Sequence, residues 1–265
     1  MSHRLKSTAV TIVAITVLAA FGGAEQRDTA ADKAAAPSPV AAAARNPKPA
    51  PGPSWSKPRP VDCRRASCVA LTFDAGPGPY TARLLDILKA KRVNATFFLL
   101  GKKGVTRYPQ LVRREAAEGH ELANHSWSHP RLTEVSDKEI RRQLSLVQRQ
   151  IKHLTGRTPT LMRPPQGRTD QRVAKASREL GLAQILWTVT AKDYRDHDPE
   201  LIQRRVLAGA ARDGIILLHD IYPGTVPAVP GIIDGLRKRG LTPVTVSQLF
   251  APDKTQPGRA YWNAP

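Results

Sequence analysis

Cysteine is nearly absent: Cys63 and Cys68 are the only two in the chain. They are too few for a disulfide scaffold or a cysteine-built zinc cluster, and their spacing is not the C-x-x-C of a redox pair. Acidic residues are scarce too, with 22 Asp and Glu against 41 Lys and Arg, a formal charge of +19. Such a chain is drawn to polyanions: nucleic acid, anionic lipid or anionic wall polymer. No apolar run reaches the ~20 residues that span a bilayer comfortably, which excludes a polytopic membrane protein. No glycine-rich dinucleotide turn follows a strand. No G-x-S-x-G elbow is present, which disfavours a serine esterase. What remains is 41% hydrophobic and 24% charged over 265 residues, enough to bury a core in one large domain or two small ones.

The N-terminus narrows the polyanions. His3, Arg4 and Lys6 precede an uncharged stretch from Ser7 to Ala24 with an apolar centre from Val10 to Phe21. Gly22, Gly23 and Ala24 are small and stand before Glu25. This is the layout of a signal peptide over residues 1–24, cut after Ala24; the alternative is an uncleaved membrane anchor. The expected location is outside the cell, associated with the wall, with no nucleic-acid partner and membrane contact only through such an anchor. Residues 25–61 are a linker: ten of the 37 are Ala and eight are Pro, a composition that extends rather than packs. The folded domain is expected over residues 62–252 and a tail over 253–265. In an oxidising compartment Cys63 and Cys68 are expected to pair and staple the start of the first strand.

From Cys68 to Phe250 short apolar runs alternate with helical patterns. Strands are expected at Cys68–Phe73, Ala95–Leu100, Glu121–Asn124, Thr160–Met162, Ala183–Val189, Ile215–Leu218 and Leu241–Val246. Helices are expected at Thr81–Lys91, Tyr108–Glu118, Ser136–Leu154, Asp170–Leu180, Pro199–Ala211 and Ala228–Arg239. Ser136 with Glu139 three residues on reads as a capping box. Strand–helix alternation of this kind predicts right-handed crossovers and a parallel sheet. About 185 residues is short for an eightfold barrel, so the fold class is α/β, a distorted, incomplete (β/α) barrel of about seven parallel strands. An open doubly wound sheet is the rival.

In either architecture the active site lies at the C-terminal ends of the strands. Ionisable side chains stand there in series: Asp74 in TFDAGPGP, His125 and His129 in NHSWSH, Arg163 in MRPPQG, Asp193 in WTVTAKDY, and His219 with Asp220 in LLHD. His125 and His129, four apart, would share one face of a helical turn and chelate a divalent metal. His219, governed by a carboxylate such as Asp193, suits proton transfer. Arg163, pinned by two prolines, suits holding a carboxylate. Trp127 and Trp187 would either line a sugar groove or fill the core.

These blocks, in this order, resemble the polysaccharide deacetylase group, the NodB-homology domain of carbohydrate esterase family four, over about Ala70 to Phe250. The resemblance implies a distorted barrel and metal-dependent hydrolysis of an N- or O-acetyl group on a polysaccharide. It makes Asp74 the general base, His125 and His129 metal ligands, Arg163 the residue that orients Asp74, His219 the general acid and Asp193 its tuner. The metal it implies is divalent, zinc first among the choices.

The chain also departs from that pattern. A second, metal-binding aspartate usual in the first motif is replaced by Ala75, which leaves Asp74, Asp196 or Asp198 as substitutes. Gln166 replaces an aromatic whose backbone N–H serves as an oxyanion donor. Thr190 stands where Asp is common and Tyr194 where Trp is common. Gln166, Trp127 and Tyr194 are the expected substrate contacts. The implied function is N-deacetylation of a cell-wall glycan, peptidoglycan or a chitin-like polymer. An acetylxylan-type O-esterase and a non-catalytic wall-binding module that has lost its metal ligand are the alternatives.

Overall fold

The computed structural model describes residues 61–265. The expected leader, and the linker as far as Pro60, lie outside the described residues. Nine strands and seven α-helices follow in alternation: β1 (Cys68–Asp74), α1 (Thr81–Lys91), β2 (Thr96–Leu99), α2 (Pro109–Ala117), β3 (Glu121–Asn124), α3 (Asp137–Thr155), β4 (Leu161–Met162), α4 (Gln171–Glu179), β5 (Ala183–Ile185), β6 (Val189–Thr190), α5 (Pro199–Gly209), β7 (Ile215–His219), α6 (Thr225–Lys238), β8 (Thr242–Val244), α7 (Val246–Phe250) and β9 (Ala260–Tyr261). Every strand pairing is parallel. The order is β6-β7-β1-β2-β3-β4-β5-β9, with β8 beside the first half of β1. This is the distorted, incomplete barrel that the alternation predicts.

The period of two along a strand explains how the barrel is filled. In β1, Val69, Leu71 and Phe73 belong to the large core under the helices, whereas Cys68 and Ala70 belong to a second core within the curl of the sheet. Thr72 and Asp74 continue that inner face. In β7, Ile216 and Leu218 point to the helices and Ile215 points inward, so His219 falls on the inner side. The register sets Asp74 opposite His219 and opposite Phe98 of β2. Both faces are covered, which is why β1 is buried along its whole length and reads as an almost unbroken apolar run.

The helices follow their sequence signals closely. α1 buries Leu84, Leu85 and Leu88, each contributing roughly 1.5–3 kcal/mol, and ends at Arg92 in the left-handed conformation. Ser136 caps α3 by accepting the Glu139 N–H at 3.2 Å. The expected reciprocal half of a capping box does not form, because the Glu139 carboxylate is taken by Arg142 and Gln143. α6 starts at Thr225, earlier than expected. Pro227 sits in its first turn, where an N–H has no helical partner anyway, and Pro230 is tolerated inside.

The expected strand at Ala183–Val189 is two strands. β5 pairs with β4, then Leu186 to Thr188 cross over, and β6 pairs with β7 at the other end of the hydrogen-bonded path. Thr188 fixes the crossing by exchanging hydrogen bonds with Ile215. The expected strand at Leu241–Val246 ends at Val244, because Thr245 and Gln248 form a full capping box that opens α7. The expected tail is part of the domain: β9 pairs with β5, and Ala264 is buried in the inner core. Cys63 and Cys68 form a disulfide at the start of β1.

Candidate active site

Asp74 ends β1, 2% exposed, and Arg163 lies fully buried behind it. Arg163 Nη1 donates to Asp74 Oδ1 at 2.6 Å and to Thr72 Oγ1 at 2.8 Å. Its Nε and Nη2 donate to the carbonyls of Ile185 and Leu186 at 2.9 and 3.0 Å. The guanidinium also lies 4.1 Å from the centre of the Phe98 ring. A buried cation is tolerable only when its donors are satisfied. Here a carboxylate, a hydroxyl and two carbonyls released by the β5–β6 crossing do so. Burial lowers the Arg163 pKa and Asp74 pulls it back up. The pairing leaves Asp74 Oδ2 as the oxygen not bonded to Arg163.

His125 and His129 come together by a different route from the expected helical turn. The segment after β3 is a loop in which Ser126 and His129 take positive φ values of 67° and 63°. That conformation is uncommon away from glycine, and here it folds the chain back so that the two rings meet edge to face at 4.9 Å. His125 Nδ1 is 2.9 Å from the Arg163 carbonyl. A carbonyl only accepts, so Nδ1 carries the proton and Nε2 keeps its lone pair. Nε2 faces Asp74 Oδ2 at 3.8 Å. Burial pushes the His125 pKa down to about 4 and lowers that of His129, so both rings are neutral at neutral pH, the form that binds metal.

The donor set fits a cation seated on two imidazole nitrogens. It offers no third dedicated ligand, because Ala75 has no lone pair to give. Among the described residues, no three His, Cys, Asp or Glu side chains form a metal-holding group. The substitutes Asp196 and Asp198 are engaged elsewhere. Asp196 is bound by Arg195 and Arg205, and Asp198 caps α5 by accepting from the Glu200 N–H.

His219 ends β7. Its Nδ1 is 2.9 Å from Asp193 Oδ1, and its backbone N–H donates to Asp193 Oδ2 at 2.7 Å. Thr225 Oγ1 donates to the same Oδ2 at 2.7 Å. Asp193 is fully buried, so this pair is held rigidly. Burial alone would lower the His219 pKa. The hydrogen bond and charge of Asp193, helped by Asp74, outweigh it, and the pKa is raised. With Nδ1–H on the carboxylate, Nε2 is the nitrogen left for proton exchange.

Asp74, His125, His129 and His219 open onto one cavity of about 590 Å³. Ala75, Gln166, Thr190, Tyr194 and Trp187 line it as well. Trp187 is held in place by Gly167, where an added Cβ would sit 2.8 Å from its ring. Gln166 takes a left-handed φ of 57°, and its side chain accepts from Arg131 Nε at 2.9 Å. Trp127, an expected substrate contact, does not line the cavity. It packs against the large core and covers Gly101, which is its core-filling alternative.

Sequence reasoning missed several residues here. Lys103 and Tyr222 line the cavity, and Tyr222 meets His219 edge to face at 5.4 Å. Thr72 and Thr225 anchor the two carboxylate pairs. None has a strand-end signal of its own, although Thr72 shares Asp74's face by the period of two. Asp220 and Glu115 are fully buried acids outside the cavity lining. Burial raises the Asp220 pKa to about 6 and drives that of Glu115 well up, with Asp220's charge adding to the second effect.

Comparison with known proteins shows the family. The family model described as polysaccharide deacetylase matches residues 62–185. The chain is 39% identical over 196 residues to the peptidoglycan-N-acetylglucosamine deacetylase PgdA of Listeria monocytogenes, covering 74% of this chain and 41% of that protein. It therefore spans about two fifths of that relative's length. The solved structure of T48 deacetylase with substrate superposes with a TM-score of 0.73 at 39% identity, covering 76% of this chain and 99% of that one. A mutant of BA3943, a CE4 family pseudoenzyme from Bacillus anthracis, with restored enzymatic activity, superposes with a TM-score of 0.66 at 31% identity, covering 70% of this chain and 68% of that one. With its strand-end motifs set on the same barrel, the chain belongs to the polysaccharide deacetylase family.

Proposed function

We propose that this protein is a secreted, wall-associated polysaccharide deacetylase that hydrolyses the N-acetyl groups of a cell-wall glycan, peptidoglycan or a chitin-like polymer. One observation carries the reading: Asp74, backed by buried Arg163, and His219, backed by buried Asp193, open onto the same cavity. Amide hydrolysis needs a base to take a proton from water and an acid to return one to the departing amine.

Asp74 Oδ2 takes the proton from the attacking water, while Arg163 on Oδ1 fixes the carboxylate's direction. Oxygen adds to the acetyl carbon and a tetrahedral oxyanion forms. The backbone N–H at Gln166 is assigned to that oxyanion, the kind of fixed dipole that acts strongly where water is excluded. His219 Nε2 then gives its proton to the nitrogen as the C–N bond breaks, leaving acetate and a free amine. Asp193 stabilises the imidazolium before that transfer. His125 and His129 would hold the divalent cation, zinc first among the choices, which when bound polarises the acetyl carbonyl and lowers the pKa of water. Exported through its leader, a chain with 41 Lys and Arg against 22 Asp and Glu in its full sequence, only two of the basic residues lying in that leader, would be retained by an anionic wall.

The test is acetate release from N-acetylglucosamine oligomers, before and after chelation and with defined metals restored. Loss on chelation and recovery with a divalent ion, with one free amine for each acetate, supports the reading. Acetate released from O-acetylated xylan, leaving a hydroxyl, and none from these oligomers assigns an O-esterase instead. The second reading, a wall-binding module without catalysis, is favoured by Ala75 and the two-ligand seat. It gains the case if oligomers bind and no acetate appears under any metal.

A further inference from the structure

Lys103 carries a charge in the cavity that no side chain among the described residues pairs with. The other ionised groups come in pairs: Asp74 with Arg163 at 2.6 Å and His219 with Asp193 at 2.9 Å. His125 and His129 bring no negative charge, since an imidazole is either neutral or cationic. Lys103 lines the same cavity, and its ammonium makes no hydrogen bond or ion pair with the described residues. The chain's own groups therefore present a net positive charge to whatever enters.

The segment that carries Lys103 is built into the site. It is a π-helical turn, Gly101–Val105, and such turns are rare and concentrate at functional sites. The Lys102 N–H donates to the Trp127 carbonyl at 2.7 Å and the Gly101 N–H to the Ser126 carbonyl at 3.1 Å. On the other side Gly104 packs so closely that an added Cβ would lie 2.2 Å from the Gly76 carbonyl oxygen. The turn is thus clamped between the loop that follows Asp74 and the loop that carries His125 and His129. The bonds to Ser126 and Trp127 set the turn against the loop that carries His129, and Lys103 and His129 line the same cavity.

We propose that Lys103 is a specificity-determining residue that binds a carboxylate on the sugar ring whose acetamido group is hydrolysed. This rests on the deacetylase reading above. The acetamido group at C2 must reach Asp74 and His219, so an anion met by Lys103 beside His129 belongs on the neighbouring position, C3. A lactyl ether on C3 carries a carboxylate there, whereas a uronic acid carries its carboxylate at C6, across the ring. Lys103 is exposed to solvent, so salt should screen its pairing with such a carboxylate.

The test compares N-acetylmuramyl oligosaccharides whose lactyl carboxylate is free with the same oligosaccharides capped as the methyl amide. Wild type should favour the free acid about tenfold in kcat/KM, expressed in KM rather than kcat, and high salt should narrow the ratio. Lys103→Gln should bring the ratio to about one, Lys103→Arg should restore it, and Lys103→Glu should reverse it. Equal use of both forms by wild type, or a preference that survives Lys103→Gln, overturns the proposal. If no acetate is released from these or from N-acetylglucosamine oligomers, the deacetylase reading is what fails. Calorimetric binding of the two forms then decides Lys103 separately: tighter binding of the acid that is lost in Lys103→Gln upholds its role, and equal binding removes it.

Discussion

Asp74 and His219 are register partners on adjacent parallel strands, and each is braced from behind by a buried residue of opposite charge. Arg163 holds one oxygen of Asp74 at 2.6 Å, and Asp193 holds Nδ1 of His219 at 2.9 Å. Base and acid therefore stand on neighbouring rungs, with their free atoms, Oδ2 and Nε2, left for the cavity.

Asp74→Asn should reduce turnover by ~10²–10⁴-fold, the usual contribution of a general base. The amide still offers Arg163 an acceptor but leaves a buried cation without its counter-charge. A stability loss of about 3 kcal/mol should accompany it, at the low end for a broken buried pair. Urea denaturation and initial-rate assays on one preparation read both. Wild-type rates in the variant would remove Asp74 from the mechanism.

The pH dependence follows from the raised His219 pKa. As the acid, His219 must be protonated, so the rate should fall as pH rises through that raised pKa. Asp193→Asn removes the largest influence that raises it, and the alkaline limb should move to lower pH. The same linkage bears on stability. What the His219–Asp193 pair contributes is fully present below the unfolded histidine pKa and is lost as pH rises through the folded one. A pH–rate profile of both proteins from pH 5 to 10 measures the limb, and an unmoved limb would detach His219 from the acid step.

Ala75→Asp should tighten divalent-ion binding by supplying a carboxylate beside His125 and His129. The backbone is ready for it: Ala75 has a φ of 68°, a region Asp enters more readily than Ala. Isothermal calorimetry with Zn²⁺ should show wild type binding more weakly than the variant. Activity at limiting metal should rise if the deacetylase reading holds. Because Asp196 and Asp198 are committed to Arg205 and to the cap of α5, changing either to Asn should leave the affinity as it was.

Glu115→Gln should stabilise the protein near pH 7.5 and change little near pH 4. Burial raises the Glu115 pKa well above its ordinary value, and neither carboxylate oxygen has a partner. An acid whose folded pKa is raised favours the folded state while both states are protonated. That advantage falls as pH rises above the unfolded pKa, where only the unfolded chain releases its proton. A neutral amide removes this penalty. Melting temperatures across pH 4–8 should diverge upward for the variant, and parallel curves would count against a raised pKa at Glu115.

Much of the fold was legible because local chemistry speaks for it. The bounds of α1 and β3 fall where apolar periodicity puts them, and β1 runs one residue beyond, to Asp74; such signals are carried within a few residues. Polar groups at strand ends can be read the same way, since a parallel barrel gathers them on one rim. Ala75 is likewise visible in the sequence, as a missing lone pair at a position that calls for one.

Three-dimensional packing decided the rest. Nothing in the run from Ala183 to Val189 shows that it must leave β4, cross at Leu186–Thr188 and join β7. That break depends on strands distant in sequence, and it frees the carbonyls that satisfy Arg163. Left-handed turns at Ser126 and His129, not a helix, bring the two imidazoles together. Asp196 and Asp198, acids in the right loop, were claimed by Arg205 and by a helix end, while Trp127 went to the core. The sequence determined which chemical groups this protein has and the faces of the strands they occupy. Only the tertiary structure decided which of them meet, because each pairing depends on what else competes for the same hydrogen bond, charge or volume.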